Sequence, residues 1–536
     1  MRDPSQEVAR IAAHYAAEGS AFPRMSVAEF TSRQCARFAE RIAIEVVETQ
    51  ETLTYADLWS RVTLAADALS ARGLHAGDRV AIQMPNGWEY PVLWLALAQI
   101  GAVHVPVNTR YSPKEIAYVI ADSGAELMIV ADDLATAAEQ AANSLNKPEI
   151  VERAGAFFSS LGWAEKRAAY APQPDDLLNI QYTSGTTGMP KGCMLTHDYW
   201  LVLARSAALW DAVPVQRILS AQPYFYMDPQ WITLKTLLNG AVMVIAPGLS
   251  SSRFLDWLLD YRIDWCMFPI LMARLPRTGR EGKTALSQVA TFGWDAETCA
   301  RFHQDYGVRA CEGFGMTEIG LGTVMPPELD IMSDSVSTGI VAPCRETSVR
   351  RADGTLSDPG EAGELWVRGR SIFQGYWKRP EATAMACPGD GWFRTGDIFI
   401  KDSDGFHWIT GRIKDMIRRS SENIAAREVE AVLCTLPDIV EASALAEPDR
   451  RRGEEVLAVL QHRQGCPADD AVEAFVAASN DALAVRLAVF KRPRYWIFVA
   501  EHPRTASNKV QKVQLRKQIS GRRAYDNAEK CWVTLP

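Results

Sequence analysis

The chain has 536 residues, too many for one compact core, so three or so domain-sized units are expected. Hydrophobic residues make up 48% and charged residues 23%, as in an ordinary soluble globular protein, and the net charge of −8 leaves no electrostatic footprint for nucleic acid. Ten cysteines without a C-x-x-C pair and eight histidines without metal-ligand spacing speak against a disulfide scaffold or a zinc site. They fit a reducing, cytoplasmic setting, with the thiols as small buried groups.

Met1 to Ala21 is polar and amphipathic, unlike a secretory signal. Ala56 to Arg72 has helical spacing stopped by Gly73, and Arg79 to Met84 reads as a buried strand after the turn Ala76-Gly77-Asp78. The longest apolar run, Pro91 to Val107, is interrupted by Gln99, Gly101, His104 and Pro106. It falls short of the roughly 20 residues that span a bilayer. It reads instead as a helix, Tyr90 to Ile100, leading into a short strand, Ala102 to Val105, and no membrane association is expected. Leu127 to Val130 is a further strand, as are Met243 to Ile245 and Trp265 to Pro269. Such alternation points to α/β layers. After Pro326 frequent turns separate short β-prone runs, including Glu364 to Val367 and Phe406 to Thr410, which reads as a small antiparallel β subdomain. The last stretch opens with the charged run Arg412 to Arg419. It then combines a helix, Glu428 to Leu436, with a strand, Glu455 to Gln461, in a small α+β unit.

The chemistry is concentrated in Thr183-Ser184-Gly185-Thr186-Thr187-Gly188-Met189-Pro190-Lys191-Gly192, which follows the strand-like run Leu177 to Tyr182. Four hydroxyls, three glycines and a lysine within ten residues make a loop suited to phosphate oxygens. It is not a Walker loop, because Pro190 rather than glycine precedes Lys191 and Gly192 follows it.

This stretch, continuing into Cys193-Met194-Leu195-Thr196-His197, resembles the signature of the adenylate-forming superfamily: acyl-CoA synthetases, nonribosomal adenylation domains and firefly luciferases. The resemblance implies a large N-terminal domain, residues 1–413, of two α/β-layered subdomains plus a small β-barrel-like subdomain. A small mobile α+β C-terminal domain, residues 414–536, would follow, with its hinge at Lys414. The implied reaction joins a small-molecule carboxylic acid to ATP as an acyl-adenylate, with Mg²⁺ as cofactor, and then passes the acyl group to coenzyme A.

Further motifs fall in the family's order. Glu312-Gly313-Phe314-Gly315-Met316-Thr317-Glu318 resembles its (Y/F)GxTE element: Phe314 would stack on adenine, Thr317 would bond a phosphate oxygen and Glu318 would hold Mg²⁺. Gly293, Glu312 and Gly313 are counted with the nucleotide-binding residues on the same resemblance. Thr395-Gly396-Asp397 would supply the ribose-binding aspartate, and Arg412 a second ribose or phosphate contact. Pro503-Arg504-Thr505-Ala506-Ser507-Asn508-Lys509 resembles the motif of the catalytic lysine, with Asn508 in place of the usual glycine.

Two regions depart from the family pattern. Arg419-Ser420-Ser421-Glu422-Asn423 replaces the G-G-E-N turn that lines the pantetheine tunnel, which places Ser420, Ser421 and Glu422 on the coenzyme A path. In the acyl pocket, Tyr226 takes the place of a gating histidine, and Asp228 and Gln230 resemble the carnitine/crotonobetaine-CoA ligase branch. Trp294-Asp295 replaces a turn of small residues. Tyr226, Asp228, Trp231, Trp294 and Asp295 together suggest a small or polar acid, with a quaternary-ammonium acid as one candidate. Core packing of the aromatics is the competing reading. Three functions follow: an acyl-CoA ligase, a stand-alone adenylation enzyme that loads a carrier protein, and a non-catalytic nucleotide-binding regulator. The resemblance leaves homodimerisation open.

Overall fold

The structure is a computed structural model describing residues 4–162, 170–183, 190–211, 213–329, 335–419, 422–504 and 509–536. Local chemistry sets the boundaries of the early elements. Thr54 and Asp57 form a reciprocal capping box that starts the helix Tyr55–Ala71. Ser112 and Glu115 do the same for Pro113–Ser123. The apolar run folds as the helix Glu89–Ile100, ended by left-handed Gly101, and returns as the strand Val103–Pro106.

Among the described residues the strands form four sheets. One has six strands in the order Val151–Arg153, Leu127–Val130, Arg79–Gln83, Val103–Pro106, Leu177–Thr183 and Lys191–Thr196. It is parallel except for the last pair, an antiparallel hairpin. A nine-stranded sheet has a parallel centre in the order Ala310–Met316, Gln288–Thr291, Trp265–Met267, Arg217–Ser220, Val242–Ile245 and Ile42–Val46, with antiparallel edges. The third sheet has four antiparallel strands, Arg345–Arg350, Ala362–Gly369, Phe393–Lys401 and His407–Arg412. It is the small β subdomain expected after Pro326, although a helix, Pro380–Ala386, interrupts its β texture. The expected strand Trp265 to Pro269 stops at Met267, because Pro269 caps the short helix Ile270–Ala273.

Beyond the turn Ile413–Asp415, the strands Met416–Arg419, Glu422–Ala425, Ile439–Asp449, Gly453–His462 and Tyr495–Phe498 and two C-terminal strands form the fourth sheet. It packs with the helices Ala426–Leu433 and Asp469–Arg486. Among the described residues, the apolar clusters of this sheet begin at Ile417, and those of the preceding three sheets end at Ile409. The cysteines divide evenly: Cys35, Cys193, Cys266, Cys299 and Cys311 are buried as expected, whereas Cys434, Cys466 and Cys531 are exposed and Cys344 and Cys387 lie between. No helix among the described residues is long and apolar enough to cross a membrane.

Candidate active site

Parallel strands deliver their loops at their carboxyl ends, the usual place for a site in α/β sheets. Here Leu177–Thr183 runs into the Thr/Ser/Gly loop, and Gln288–Thr291 leads to Gly293. Arg217–Ser220 leads to the Tyr226–Asp228 segment, and Ala310–Met316 leads to Thr317 and Glu318. Residues 184–189, which include Ser184, Gly185, Thr186, Thr187 and Gly188, lie outside the described residues, but both ends of their loop are placed. Thr183 pairs with Lys191 across the hairpin, and the Thr183 hydroxyl donates to the Lys191 carbonyl at 3.4 Å. Gly192 is required sterically: a β-carbon there would stand 2.4 Å from Ile180 Cγ2.

Thr317 and Glu318 occupy the tight turn that joins Ala310–Met316 to Gly320–Val324. The turn closes on Gly315, where a β-carbon would meet the Gly320 carbonyl at 2.6 Å. The Tyr199 hydroxyl, fully buried, donates to the Thr317 carbonyl at 2.8 Å. Glu318 is 7% exposed, and burial pushes its carboxyl pKa up. The Tyr376 hydroxyl, donating to Oε1 at 2.7 Å, and the charges of Arg412 and Lys191 oppose that shift. Lys191 in turn lies 4.9 Å from the Tyr376 ring centre.

Tyr376 therefore stands between the signature lysine and the carboxylate, a role the sequence motifs do not announce. Its signal is only the Gly375-Tyr376-Trp377 run within a turn-rich stretch. Because a hydrogen bond to a charged group is worth about 1.5–3 kcal/mol, Tyr376→Phe should raise the Mg²⁺ concentration needed for half-maximal pyrophosphate release by about tenfold or more. A magnesium titration of initial rates checks this, and an unchanged midpoint would remove Tyr376 from the site.

Asp397 and Arg412 are cross-strand neighbours in the four-stranded sheet. Arg412 Nε donates to Asp397 Oδ1 at 2.6 Å, and the aspartate is fully buried. Lys509 arrives from the far end of the chain. Arg504 and Val510 form an antiparallel bridge, tightened by the Gln511 N–H donating to the Pro503 carbonyl at 2.7 Å, so Lys509 sits directly beside that bridge. Lys509 is exposed. Desolvation by the surrounding protein and the positive charge of Arg412 hold its ammonium pKa below the usual lysine range, while Asp228, Asp397 and Glu318 pull it up. Side chains from positions 191, 228, 318, 397, 412 and 509 thus share one electrostatic neighbourhood.

The acyl-pocket expectation divides. Tyr226 is the N-cap of the helix Met227–Asn239, and its ring lies 4.6 Å from that of Phe225. Asp228 follows in the first turn. Burial pushes its carboxyl pKa up, against a hydrogen bond from Trp231 Nε1 at 3.3 Å and the charge of Lys509. Trp231 is 4% exposed, braced on Trp265.

Trp294 and Asp295 both have partners within the protein. Trp294 is a core residue, edge-on to Phe268 and Phe302 at 6.0 and 5.2 Å. Asp295 caps the helix Ala296–Tyr306 by accepting from the Thr298 N–H at 2.8 Å, and it pairs with Arg274. Core packing and a helix start, the competing reading of this pair, describe their contacts.

Glu312 also works on protein. Its oxygens accept from Thr291 Oγ1 at 2.8 Å and from the Gly293 and Trp294 N–H groups, which fixes the Gly293 loop at φ +77°. Burial pushes its pKa up to about 7 in spite of those bonds. Gly313 lies in the strand, where a β-carbon would meet Trp210 at 2.9 Å. Phe314 keeps 8% of its surface exposed, with its ring edge-on to Phe399. Lys414 lies in the turn Ile413–Asp415 between the third and fourth sheets, and Glu422 pairs with Arg419 across the strand ladder. The side chains of Lys414 and Glu422, like Ser420 and Ser421, lie outside the described residues.

A buried amide network, which no motif announces, ties the phosphate-loop strand to the Tyr226 segment. Asn179 Nδ2 donates to His104 Nδ1 at 2.9 Å and to Gln230 Oε1 at 2.8 Å. Gln230 Nε2 donates to the Tyr226 carbonyl at 3.1 Å, and Gln181 Nε2 donates to the Phe225 carbonyl at 2.9 Å. Because His104 Nδ1 accepts, its proton sits on Nε2, facing the Tyr90 hydroxyl at 3.3 Å. Burial holds that imidazole neutral, its pKa pushed down to about 3. Four buried polar side chains, His104, Asn179, Gln181 and Gln230, are thereby satisfied, and the network fixes the acyl-side turn against the phosphate-side strand.

No group of three or more His, Cys, Asp or Glu suited to a metal cage occurs among the described residues. A single buried carboxylate suits Mg²⁺, which commonly takes one or two carboxylates and completes its shell with substrate phosphates and water.

Comparison with known proteins adds independent support. A family model described as AMP-binding enzyme matches residues 31–377, and one described as AMP-binding enzyme C-terminal domain matches residues 428–509. The chain is 31% identical over 503 residues to the long-chain-fatty-acid–CoA ligase FadD13 of Mycobacterium tuberculosis, covering 91% of this chain and 97% of that protein. It is 33% identical to a feruloyl-CoA synthase of an Amycolatopsis species, covering 87% and 94%. The crystal structure of ATP-bound MatB from Rhodopseudomonas palustris superposes with a TM-score of 0.82 at 29% identity, covering 92% of this chain and 99% of that one.

Proposed function

The chain belongs to the AMP-binding enzyme family, whose members here are AMP-forming acid–thiol ligases using ATP, Mg²⁺ and coenzyme A, and from that premise we propose how its residues divide the work. The reading is carried by one observation: the charged side chains at 191, 228, 318, 397, 412 and 509 are near enough to act on one another's charge, although they come from distant parts of the chain. A carboxylate oxygen of the acid attacks the α-phosphorus of ATP, and the bond to the bridging oxygen of pyrophosphate breaks. Two anions must approach, so fixed positive charge lowers the barrier. Lys509 stays protonated and bridges the carboxylate and the α-phosphate. Lys191 and the Thr183 end of the loop face the pyrophosphate side, with Thr317 on a phosphate oxygen. Asp397 accepts from the ribose hydroxyls, and the charge of Arg412 opposes the rise that burial imposes on its carboxyl pKa. Gly293, Gly313 and Phe314 line the adenine side, with Glu312 bracing that loop. Glu318 would hold Mg²⁺, which would supply a counter-charge to the phosphate oxygens.

In the second step the coenzyme A sulfur attacks the adenylate carbonyl carbon and AMP leaves. Residues 1–413 and 414–536 act as two bodies hinged at Lys414, so that Lys509 withdraws and Ser420, Ser421 and Glu422 meet the thiol. The separate apolar clusters on either side of that turn support this division.

The acid is read from the pocket, because the two relatives are named for a long-chain fatty acid and for ferulate. Asp228, a desolvated carboxylate beside Tyr226, favours a small or polar acid bearing a hydrogen-bond donor or a quaternary ammonium. Trp294 and Asp295, engaged in core packing and a helix cap, add little to that choice. The Ser420-Ser421 substitution keeps a carrier-protein thiol as the second acceptor. Thioester formation should be measured with betaine-type, short polar and long-chain acids, each with free coenzyme A and with a holo-carrier. Turnover of polar or cationic acids with coenzyme A is the expected result. Turnover of long-chain acids alone would refute the pocket reading, and exclusive use of the carrier would refute the acceptor.

A further inference from the structure

Arg427 is the second residue of the helix Ala426–Leu433, within the segment following the Ile413–Asp415 turn. A cation in the first turn meets the positive end of the helix dipole, so local helix electrostatics do not favour it. Its side chain is exposed, and among the described residues its guanidinium has no hydrogen-bond or ion-pair partner. It reaches instead towards the large domain: Nη2 is 3.8 Å from the point where a β-carbon on Gly293 would sit. Gly293 carries no side chain and holds φ +77°, leaving the space above that loop to the arginine. The approach is part of a wider contact, since Gly411 and Ala425 also meet there, at 3.1 Å from a β-carbon position on Gly411 to Ala425 Cβ. Two carboxylates feel the arginine. Burial raises the pKa values of both Glu312 and Asp397, and the charge of Arg427 is among the influences that oppose the rise at each. The guanidinium thus stands over the loop assigned to adenine, and its charge acts on the aspartate assigned to ribose.

We infer that Arg427 is a nucleotide-positioning residue carried by the C-terminal domain, which covers the adenosine half of ATP during adenylation and leaves with that domain before thiol transfer. This rests on the assignment of Gly293 and Asp397 to the nucleotide. A guanidinium suits this role, being planar, permanently charged, and able to stack on a purine face and to donate to ribose oxygens. Because Arg427 comes from the small domain, its contribution is confined to the step in which Lys509 is also in place. Its closeness to Glu312 and Asp397 also gives the small domain an electrostatic seat that does not depend on the acid.

The test compares wild type, Arg427→Ala and Asp397→Asn in the full chain. Binding of α,β-methylene-ATP with Mg²⁺ is measured by calorimetry. The two half-reactions are measured separately with the acid that gives wild type its fastest pyrophosphate release. Arg427→Ala should weaken analogue binding and raise the KM for ATP by about fivefold, the size of a partly exposed cation–π or charged contact. The KM for the acid, the rate from preformed acyl-adenylate with coenzyme A, and the melting temperature should stay at wild-type values. An unchanged KM for ATP, or an equal loss in both half-reactions, would overturn the inference. If Asp397→Asn also binds the analogue like wild type, it is the nucleotide-site assignment that fails.

Discussion

Replacing Lys509 by alanine should slow acid-dependent pyrophosphate release by about 10²- to 10³-fold, the loss that follows removal of one preorganised donor from a transition state. The geometry makes this effect selective. Lys509 is the cation whose neighbourhood joins Asp228 on the acyl side to Asp397 and Glu318 on the nucleotide side. Removing it takes away the charge that lets a carboxylate approach the α-phosphate. It does not touch attack of a thiol on an adenylate already made. Synthetic acyl-adenylate should therefore still be converted to thioester by Lys509→Ala at close to the wild-type rate, and loss of both steps would contradict the assignment. A pH profile adds a second reading. Desolvation and Arg412 lower the lysine pKa, so the ammonium loses its proton at a lower pH than a free lysine would. Adenylation should then fall on an alkaline limb whose midpoint lies below the ordinary lysine value of 10.5. In Lys509→Arg that limb should vanish, because a guanidinium stays charged throughout the range.

The second large effect is expected at Asp397. It is fully buried, and its strong compensation in the structure is Arg412 at 2.6 Å. Asp397→Asn keeps the shape but removes the charge. The side chain also loses one of its two oxygen acceptors, and Arg412 loses its ionic partner. Hydrogen bonds to charged groups are worth about 1.5–3 kcal/mol, which corresponds to a rise of roughly tenfold to a hundredfold in the KM for ATP. The KM for the acid should move little, because Asp397 lies on the four-stranded sheet and not on the helix that carries Asp228. Steady-state kinetics with each substrate varied in turn separate the two. Equal increases in both constants would mean that Asp397 supports the cleft as a whole and does not hold the nucleotide.

Much of this site was legible because the reaction demands particular side chains at fixed places on loops. Lys191, Glu318, Asp397, Arg412 and Lys509 stand in motifs whose order along the chain is that of a known family, and the fold brings them near enough to act on one another's charge. The helix Glu89–Ile100 and the strands Arg79–Gln83 and Leu127–Val130 follow from apolar periodicity and turn signals. What failed to show is of two kinds. Partnerships between distant positions leave no local pattern, so Tyr376 with Glu318, or Asn179 with His104 and Gln230, emerge only once the strands are laid side by side. Aromatics beside carboxylates are also ambiguous, since one pattern serves a ligand pocket and a core rim. At Trp294-Asp295 the deciding signal was present: an aspartate just before Ala296-Glu297 reads as a helix N-cap.

If this cleft adenylates a carboxylic acid and the C-terminal lysine drives the step, the products of a single turnover reveal both. Wild type and Lys509→Ala are each given ATP, Mg²⁺, coenzyme A and the best acid of the panel, and every product is followed in time. Pyrophosphate and AMP should appear in equal amounts with the thioester, with pyrophosphate release slowed about a hundredfold or more in Lys509→Ala. Formation of ADP and phosphate, or pyrophosphate release that persists in Lys509→Ala at the wild-type rate, would contradict it.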